Sequence, residues 1–250
     1  MFVDDVVCGD SERLLKLVPD GSVDLVFTSP PYNAGMKYDV YNDSVVWGDY
    51  FSFLGRVFDE CVRVLKDGGR IVVNVAPSCS GHVPTHHVLS NMLLNRGLLW
   101  YTEIIWEKRI NSASATAFGS WKSPSKPYFT TTWEYLLVYS KGSLKHEGKS
   151  VNADVTVEEF KEWVRAMWDV RPESSGDFAH PAMFPEELAY RVIKMFSFRG
   201  DLVLDPFCGA GTTVKVARLL GRHFIGIDIS PEYCRIAKER LSKVSEQSIL

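Results

Sequence analysis

A chain of 250 residues, 46% hydrophobic and 24% charged, has the composition of an ordinary globular protein, large enough to bury a sizeable core in a single domain spanning 1–250. A formal net charge of −3 gives no global sign of nucleic-acid binding. No apolar run approaches the roughly 20 residues of a membrane span, and the N-terminus MFVDDVVCGD has neither a basic region nor an apolar signal core; a cytoplasmic protein with no membrane partner is expected.

The elements alternate. Val6-Val7-Cys8 reads as a short strand, Ser11 to Val18 as a helix capped by Ser11 or Asp10, and Val23 to Phe27 as an apolar strand. That strand runs into Thr28-Ser29-Pro30-Pro31-Tyr32-Asn33, where two consecutive prolines remove two donors and fix two φ angles, so neither a sheet nor a helix can continue. Tyr50 to Leu65 carries apolar residues at helical spacing and ends at Asp67-Gly68-Gly69, a helix stop before the strand Ile71 to Val75. A helix around Thr85 to Asn95 and an extended stretch from Leu98 to Trp106 follow.

From Lys108 to Trp133 there are four cations, Lys108, Arg109, Lys122 and Lys126, and no acid. Ser, Thr and the rings of Phe118, Trp121, Tyr128 and Phe129 interleave with them, a mixture suited to phosphate contact and base stacking, or equally to a solvated polar loop. Trp133 to Tyr139 then reads as a strand and Val157 to Met167 as a helix. The last third alternates again: helix Pro185 to Ser197, strand Asp201 to Leu204, helix Thr212 to Leu220, strand Phe224 to Asp228, helix Pro231 to Leu241. Such alternation with near-continuous apolar strands predicts an α/β fold, a parallel sheet covered by helices on both faces.

Ligands in such folds bind beyond the carboxyl ends of strands, so the loops there carry the functional reading. Asp205-Pro206-Phe207-Cys208-Gly209-Ala210-Gly211-Thr212 follows the strand Leu202 to Leu204 and opens a helix, a nucleotide-type cradle whose alternative is a purely structural turn. Asp228 ends the next strand, 17 residues beyond Gly211, about where a carboxylate would accept from ribose hydroxyls. Cys8-Gly9-Asp10 also closes a strand with an acid, which a helix cap explains equally well. Both stronger features point to an adenosine cofactor. A nicotinamide dinucleotide wants a third glycine three positions after Gly211, where this chain has Val214, which lowers that reading.

Ser29-Pro30-Pro31-Tyr32 together with Asp205-Pro206-Phe207-x-Gly209-x-Gly211-Thr212 resembles the DNA amino-methyltransferases, and the order of the two motifs resembles their beta class. Cys8-Gly9-Asp10, Arg63 to Gly69, Trp133-Glu134-Tyr135, His180 to Pro185 and Gly226-Ile227-Asp228 resemble that family's segments in the expected order. The resemblance implies a circularly permuted, seven-stranded Rossmann-like methyltransferase sheet with Val6 to Cys8 as its third strand. It implies S-adenosylmethionine held by Phe207, Gly209, Gly211 and Thr212 around methionine and sugar, Asp228 on the ribose, Asp10 on the adenine amine, and Phe184 with Pro185 at the methionine end, with Asp205 holding the loop or the amino group. It implies double-stranded DNA as substrate, a flipped base stacked on Tyr32, and Ser29 Oγ with the Pro30 carbonyl as acceptors for its exocyclic amine.

Serine at the first motif position is commoner in that family among cytosine-N4 enzymes, so N4 of cytosine is the expected target and N6 of adenine the alternative. Methylation at cytosine carbon 5 would need a thiolate, commonly on Pro-Cys in the corresponding family, and this chain has no Pro-Cys. Five cysteines at wide spacings suggest reduced bystanders, and His82, His86 and His87 lack acidic or cysteine partners in sequence, so no metal is expected. Target recognition is expected from about 108–175 together with the loop Ala34 to Trp47. A homodimer is common among such proteins, and a cognate restriction endonuclease is a further partner the resemblance suggests.

Overall fold

The computed structural model describes residues 2–36, 38–79, 82–108, 119–127, 129, 131–172 and 183–244. Eight strands form one sheet: β1 (Asp5–Cys8), β2 (Val23–Thr28), β3 (Leu65–Val75), β4 (Leu99–Glu107), β5 (Trp133–Ser140), β6 (Met167–Asp169), β7 (Leu202–Asp205) and β8 (His223–Asp228). Their spatial order is β1-β8-β7-β2-β3-β5-β4-β6, so the first strand of the chain pairs with the last. The helices are α1 (Ser11–Leu14), α2 (Trp47–Val64), α3 (Thr85–Leu94), α4 (Val157–Trp163), α5 (Glu186–Phe196), α6 (Thr212–Leu219) and α7 (Pro231–Ser242).

Four expectations are corrected. The sheet is mixed, because β5 runs antiparallel to both β3 and β4, while the other pairings are parallel. It has eight strands where seven were expected. The extra one, β6, lies at the end of the stretch read as a helix to Met167; α4 stops at Trp163, Trp168 Nε1 turns back to the Trp163 carbonyl at 2.9 Å, and the chain pairs with the edge of β4. Burial of two indole rings outweighs helix propensity there. Asp67-Gly68-Gly69, read as a helix stop, lies inside β3. Gly68 takes φ +76° where β2 and β3 shift register, and a Cβ on it would meet the Lys145 carbonyl oxygen at 2.2 Å, so only glycine fits this bulge.

Period-2 alternation builds two cores. Leu25, Phe27, Val72 and Val203 face α5, α6 and α7, packing with Leu188, Val192, Val214 and Ala237. Val26, Ile71, Val73 and Leu204 face α2 and α3, packing with Leu54, Phe58 and Leu89. Both faces are dry, which is why these strands read as continuous apolar runs. Among the described residues no helix is long and apolar enough to cross a membrane.

Candidate active site

The strands deliver polar groups to one end of the sheet: Thr28 from β2, Asn74 from β3, Asp205 from β7, Asp228 from β8, and Glu134 from the start of antiparallel β5. Between them lies a cavity of about 560 Å³, lined at one end by Ser29, Pro30, Pro31, Tyr32, Asn74, Lys108 and Glu134 and at the other by Asp10, Phe184, Asp205, Phe207, Gly209, Thr212 and Asp228. Two motifs far apart in sequence thus open into one space.

At the glycine-loop end, Asp205 is 2% exposed, and each of its oxygens accepts a hydroxyl at 2.6 Å, one from Thr28 Oγ1 and the other from Thr213 Oγ1. The Phe207 amide adds a third bond at 3.1 Å. Asp205 therefore braces the loop against β2 and α6, and burial pushes its carboxyl up from 3.8 to about 6. Asp228 accepts from the amides of Gly209 (2.8 Å) and Ser230 (2.9 Å). Its carboxyl is also raised, first by burial, against the lowering effect of those amides. Asp10 is the helix cap that its sequence allowed, Oδ1 accepting from the Glu12 amide at 2.9 Å, and the residue also lines the cavity. The Phe184 ring packs 4.9 Å from Phe27.

Two expected cofactor residues stand behind the wall and do not line the cavity. Pro185 is the N-cap of α5, its carbonyl taken by Leu188 N at 3.0 Å, and Gly211 is the left-handed N-cap of α6 with φ +81°. A Cβ on Gly211 would sit 2.7 Å from that of Ala237, so this glycine serves close packing beneath the loop. Cys208 lines the cavity, but burial lifts its thiol well above the ordinary range, which suits a bystander rather than a nucleophile.

A phosphate-free adenosine ligand fits this end. Its rim offers the carboxylates of Asp10 and Asp228 as acceptors for amine and hydroxyl donors. Among the described residues that line the cavity the one cation is Lys108, at the opposite end, so a pyrophosphate would meet carboxylates.

At the other end the double proline ends β2 and leaves the Pro30 carbonyl at the cavity wall; among the described residues nothing hydrogen-bonds it, whereas Tyr50 Oη donates to the Pro31 carbonyl at 2.6 Å. Tyr32 Oη donates to Glu134 Oε2 at 2.9 Å, Asn74 Nδ2 donates to the same oxygen at 2.7 Å and to Tyr32 Oη at 3.0 Å, and Ser29 Oγ lies 3.3 Å from Tyr32 Oη. Lys108 Nζ pairs with Glu134 Oε1 and lies 4.8 Å from the Trp106 ring centre. The structure thus moves Lys108 from the basic surface to the cavity.

The sequence reading named no role for Asn74 or Glu134. A signal for the first existed, since an asparagine inside the apolar run Ile71 to Val75 and only 2% exposed has to be satisfied by something. Glu134 opens an apolar strand, which is a weaker cue.

The loop after Tyr32, read as part of target recognition, lines the cofactor end through Met36, Tyr38, Val40 and Tyr41. Buried Asp43 folds it back by accepting from the amides of Asn33, Ala34 and Met36 at 2.7, 3.0 and 3.1 Å. Asn33, at φ +53°, closes the loop by bonding Val45 through both its amide oxygen and its amide nitrogen at 2.8 Å. Ser230 Oγ donates to Asp39 at 2.6 Å, joining the loop to the end of β8.

Lys122 and Lys126 lie outside the cavity, in a turn closed by the Gly119–Pro127 bridge, where Trp121 is 67% exposed with Lys122 Nζ 5.7 Å from its ring centre. Phe129 is 81% exposed. Arg109, Phe118, Tyr128 and the segment His180-Pro181-Ala182 lie outside the described residues. His86 stacks on Tyr135 at 4.7 Å and its Nδ1 bonds the Pro77 carbonyl at 2.5 Å, a structural placement.

The DNA methylase family model for N6 and N4 enzymes matches residues 23–239. The type II methyltransferase M.BglII of Bacillus subtilis is 29% identical over 94% of this chain and 68% of its own length; M.MjaI of Methanocaldococcus jannaschii is 29% identical over 94% and 90%. The Thermus thermophilus protein TTHA0409, solved in complex with S-adenosyl-L-methionine, superposes with a TM-score of 0.77 at 30% identity, covering 97% of this chain and 95% of that one. The cytosine-N4-specific PvuII DNA methyltransferase shares the fold, with a TM-score of 0.74 at 24% identity over 98% and 89%.

Proposed function

This chain belongs to the beta-class DNA amino-methyltransferases, which use S-adenosylmethionine, and from that premise we propose that it methylates the exocyclic N4 amine of cytosine in double-stranded DNA. The observation that carries the reading is the single cavity, with Ser29, Pro30 and Tyr32 at one end and Asp228, Asp10, Phe184 and Phe207 at the other. S-adenosylmethionine, when bound, supplies an electrophilic methyl group on a sulfonium. Asp228 and Asp10 would accept from its ribose hydroxyls and adenine amine, and Phe184 and Phe207 would cover its apolar surface.

The rest of the chemistry belongs to this chain's own residues. A base inside a duplex is out of reach and must be flipped, at a cost of a few kcal/mol for unstacking. The Tyr32 ring offers a stacking face worth about 1–3 kcal/mol per base. The amine has two hydrogens, and Ser29 Oγ and the Pro30 carbonyl are the two acceptors. Held by both, the amine nitrogen is drawn toward a tetrahedral shape with its lone pair aimed at the methyl group. Rigid Pro30-Pro31 keeps that carbonyl aimed without reorganisation, so alignment supplies much of the catalysis.

Cytosine is favoured over adenine by Ser29, where adenine enzymes of this family more often carry aspartate. Residues 108–175 form the target-recognition region in this reading, with Lys122, Lys126 and exposed Trp121 facing the duplex and Arg109 adding a phosphate contact. The type II relatives support a cognate restriction endonuclease in the same cytoplasm, and a second copy of this chain is the other partner to test for. The function is tested by incubating duplex DNA with tritiated S-adenosylmethionine: acid-insoluble label in wild type that disappears in Ser29→Ala, with cofactor binding retained, is the expected result.

A further inference from the structure

The side chains at the target end form a hydrogen-bond chain with only one possible direction. Glu134, as a carboxylate, can only accept, so Tyr32 Oη must donate to it across 2.9 Å. Its one proton committed, Tyr32 Oη can only accept from Asn74 Nδ2 at 3.0 Å and from Ser29 Oγ at 3.3 Å. The Ser29 proton therefore points at Tyr32; Asn74 Nδ2 also donates to Ser29 Oγ across 3.4 Å, and the remaining lone pair of that oxygen is left for the cavity. Asn74 Nδ2, 2.7 Å from the same Glu134 oxygen, is fixed in orientation by that carboxylate, and Lys108 supplies its counter-charge. Every mobile proton points from the cavity wall toward Glu134.

We propose that Ser29, Tyr32 and Glu134 are the exit path for the proton the target amine must lose, with Glu134 the terminal acceptor. The inference rests on the reading of this cavity as an amine methyltransferase site. As the amine lone pair forms the N–CH₃ bond, the S–CH₃ bonding pair stays on sulfur and the nitrogen carries one hydrogen too many. That proton passes to Ser29 Oγ, the Ser29 proton to Tyr32 Oη, and the Tyr32 proton to Glu134 Oε2; one N–H is broken and one carboxyl O–H is formed. Water takes the proton from Glu134 after the product leaves. Burial, and then the charge of Glu134, hold the Tyr32 phenol well above its ordinary pKa, so it hands protons on without resting as a phenolate.

Tyr32→Phe tests the path because it keeps the ring, and with it the stacking face, while breaking the chain. Single-turnover methylation by the full chain is measured against pH in H₂O and D₂O, alongside Glu134→Gln and Glu134→Asp. The expected result is a loss on the order of 100-fold near neutral pH in Tyr32→Phe and Glu134→Gln. The deficit shrinks as pH rises, the solvent isotope effect is altered, affinities for DNA and cofactor are retained, and Glu134→Asp recovers part of the rate. Infrared difference spectra after one turnover should show a protonated carboxylic acid in wild type that Glu134→Gln lacks. Wild-type rates in Tyr32→Phe, or a deficit equal at every pH, would overturn the relay while leaving amine methylation standing. A wild type that labels no amine would instead overturn the functional reading.

Discussion

Thr28 Oγ1 donates to Asp205 Oδ1 at 2.6 Å across 177 residues of sequence, pinning the strand that ends in the double proline to the strand that ends in the glycine loop. The two halves of the cavity are thus set against each other by one buried carboxylate, which Thr213 and the Phe207 amide complete.

Asp205 gives a pH signature. Its carboxyl is raised from 3.8 to about 6, so between these values the folded state binds more protons than the unfolded state, and stability falls as pH rises through that window. Asp205→Asn keeps the shape without the titration. Wild type should lose stability relative to this variant between about pH 4 and pH 6, by on the order of 1–3 kcal/mol. Thermal melts across the window check it, and parallel profiles would contradict the assignment.

Asp228 should dominate cofactor affinity. Removing a charged acceptor costs about 1.5–3 kcal/mol, or about 10–100-fold in Kd, so Asp228→Ala should weaken S-adenosylmethionine binding in calorimetry by that factor. Because burial raises this carboxyl, wild-type affinity should begin to fall on acidification above the usual carboxylate range, since protonation removes an acceptor.

The alternation of strand and helix was legible because buried parallel strands are apolar on both faces and helices keep their period, as Leu25 to Phe27 and α5 show. The two motifs also pointed to the cavity walls at Ser29 to Tyr32 and at Asp205 to Ala210 with Thr212. Strand direction was not legible: nothing in Trp133 to Tyr139 encodes that β5 enters antiparallel, since an apolar run reads the same either way. For the same reason Glu134 could not be placed, because only that reversal brings the start of β5 to the carboxyl ends of its neighbours. Lys108 looked like a surface cation for lack of that same partner.

Asp43 is predicted to hold the loop over the cofactor. Asp43→Ala leaves three amides, those of Asn33, Ala34 and Met36, without their acceptor, which should cost about 1–3 kcal/mol of stability. Because Tyr38 and Tyr41 line the cavity, cofactor affinity should fall with it. A variant with an unchanged melting temperature and unchanged affinity would refute this role.

Lys122 and Lys126 should act on DNA alone. Replacing both with alanine should weaken duplex binding with little regard to sequence and flatten the log–log salt dependence by about 0.9 for each phosphate no longer neutralised. Cofactor binding, read in the same preparation, should be unaffected, because neither residue lines the cavity.

The central claim is transfer of a methyl group to N4 of cytosine, and nucleoside mass spectrometry of duplex DNA methylated with labelled S-adenosylmethionine tests it most directly. The label is predicted in N4-methylcytosine. Label in N6-methyladenine would move Ser29 to the adenine class, and label in 5-methylcytosine would contradict the amine chemistry of the site altogether.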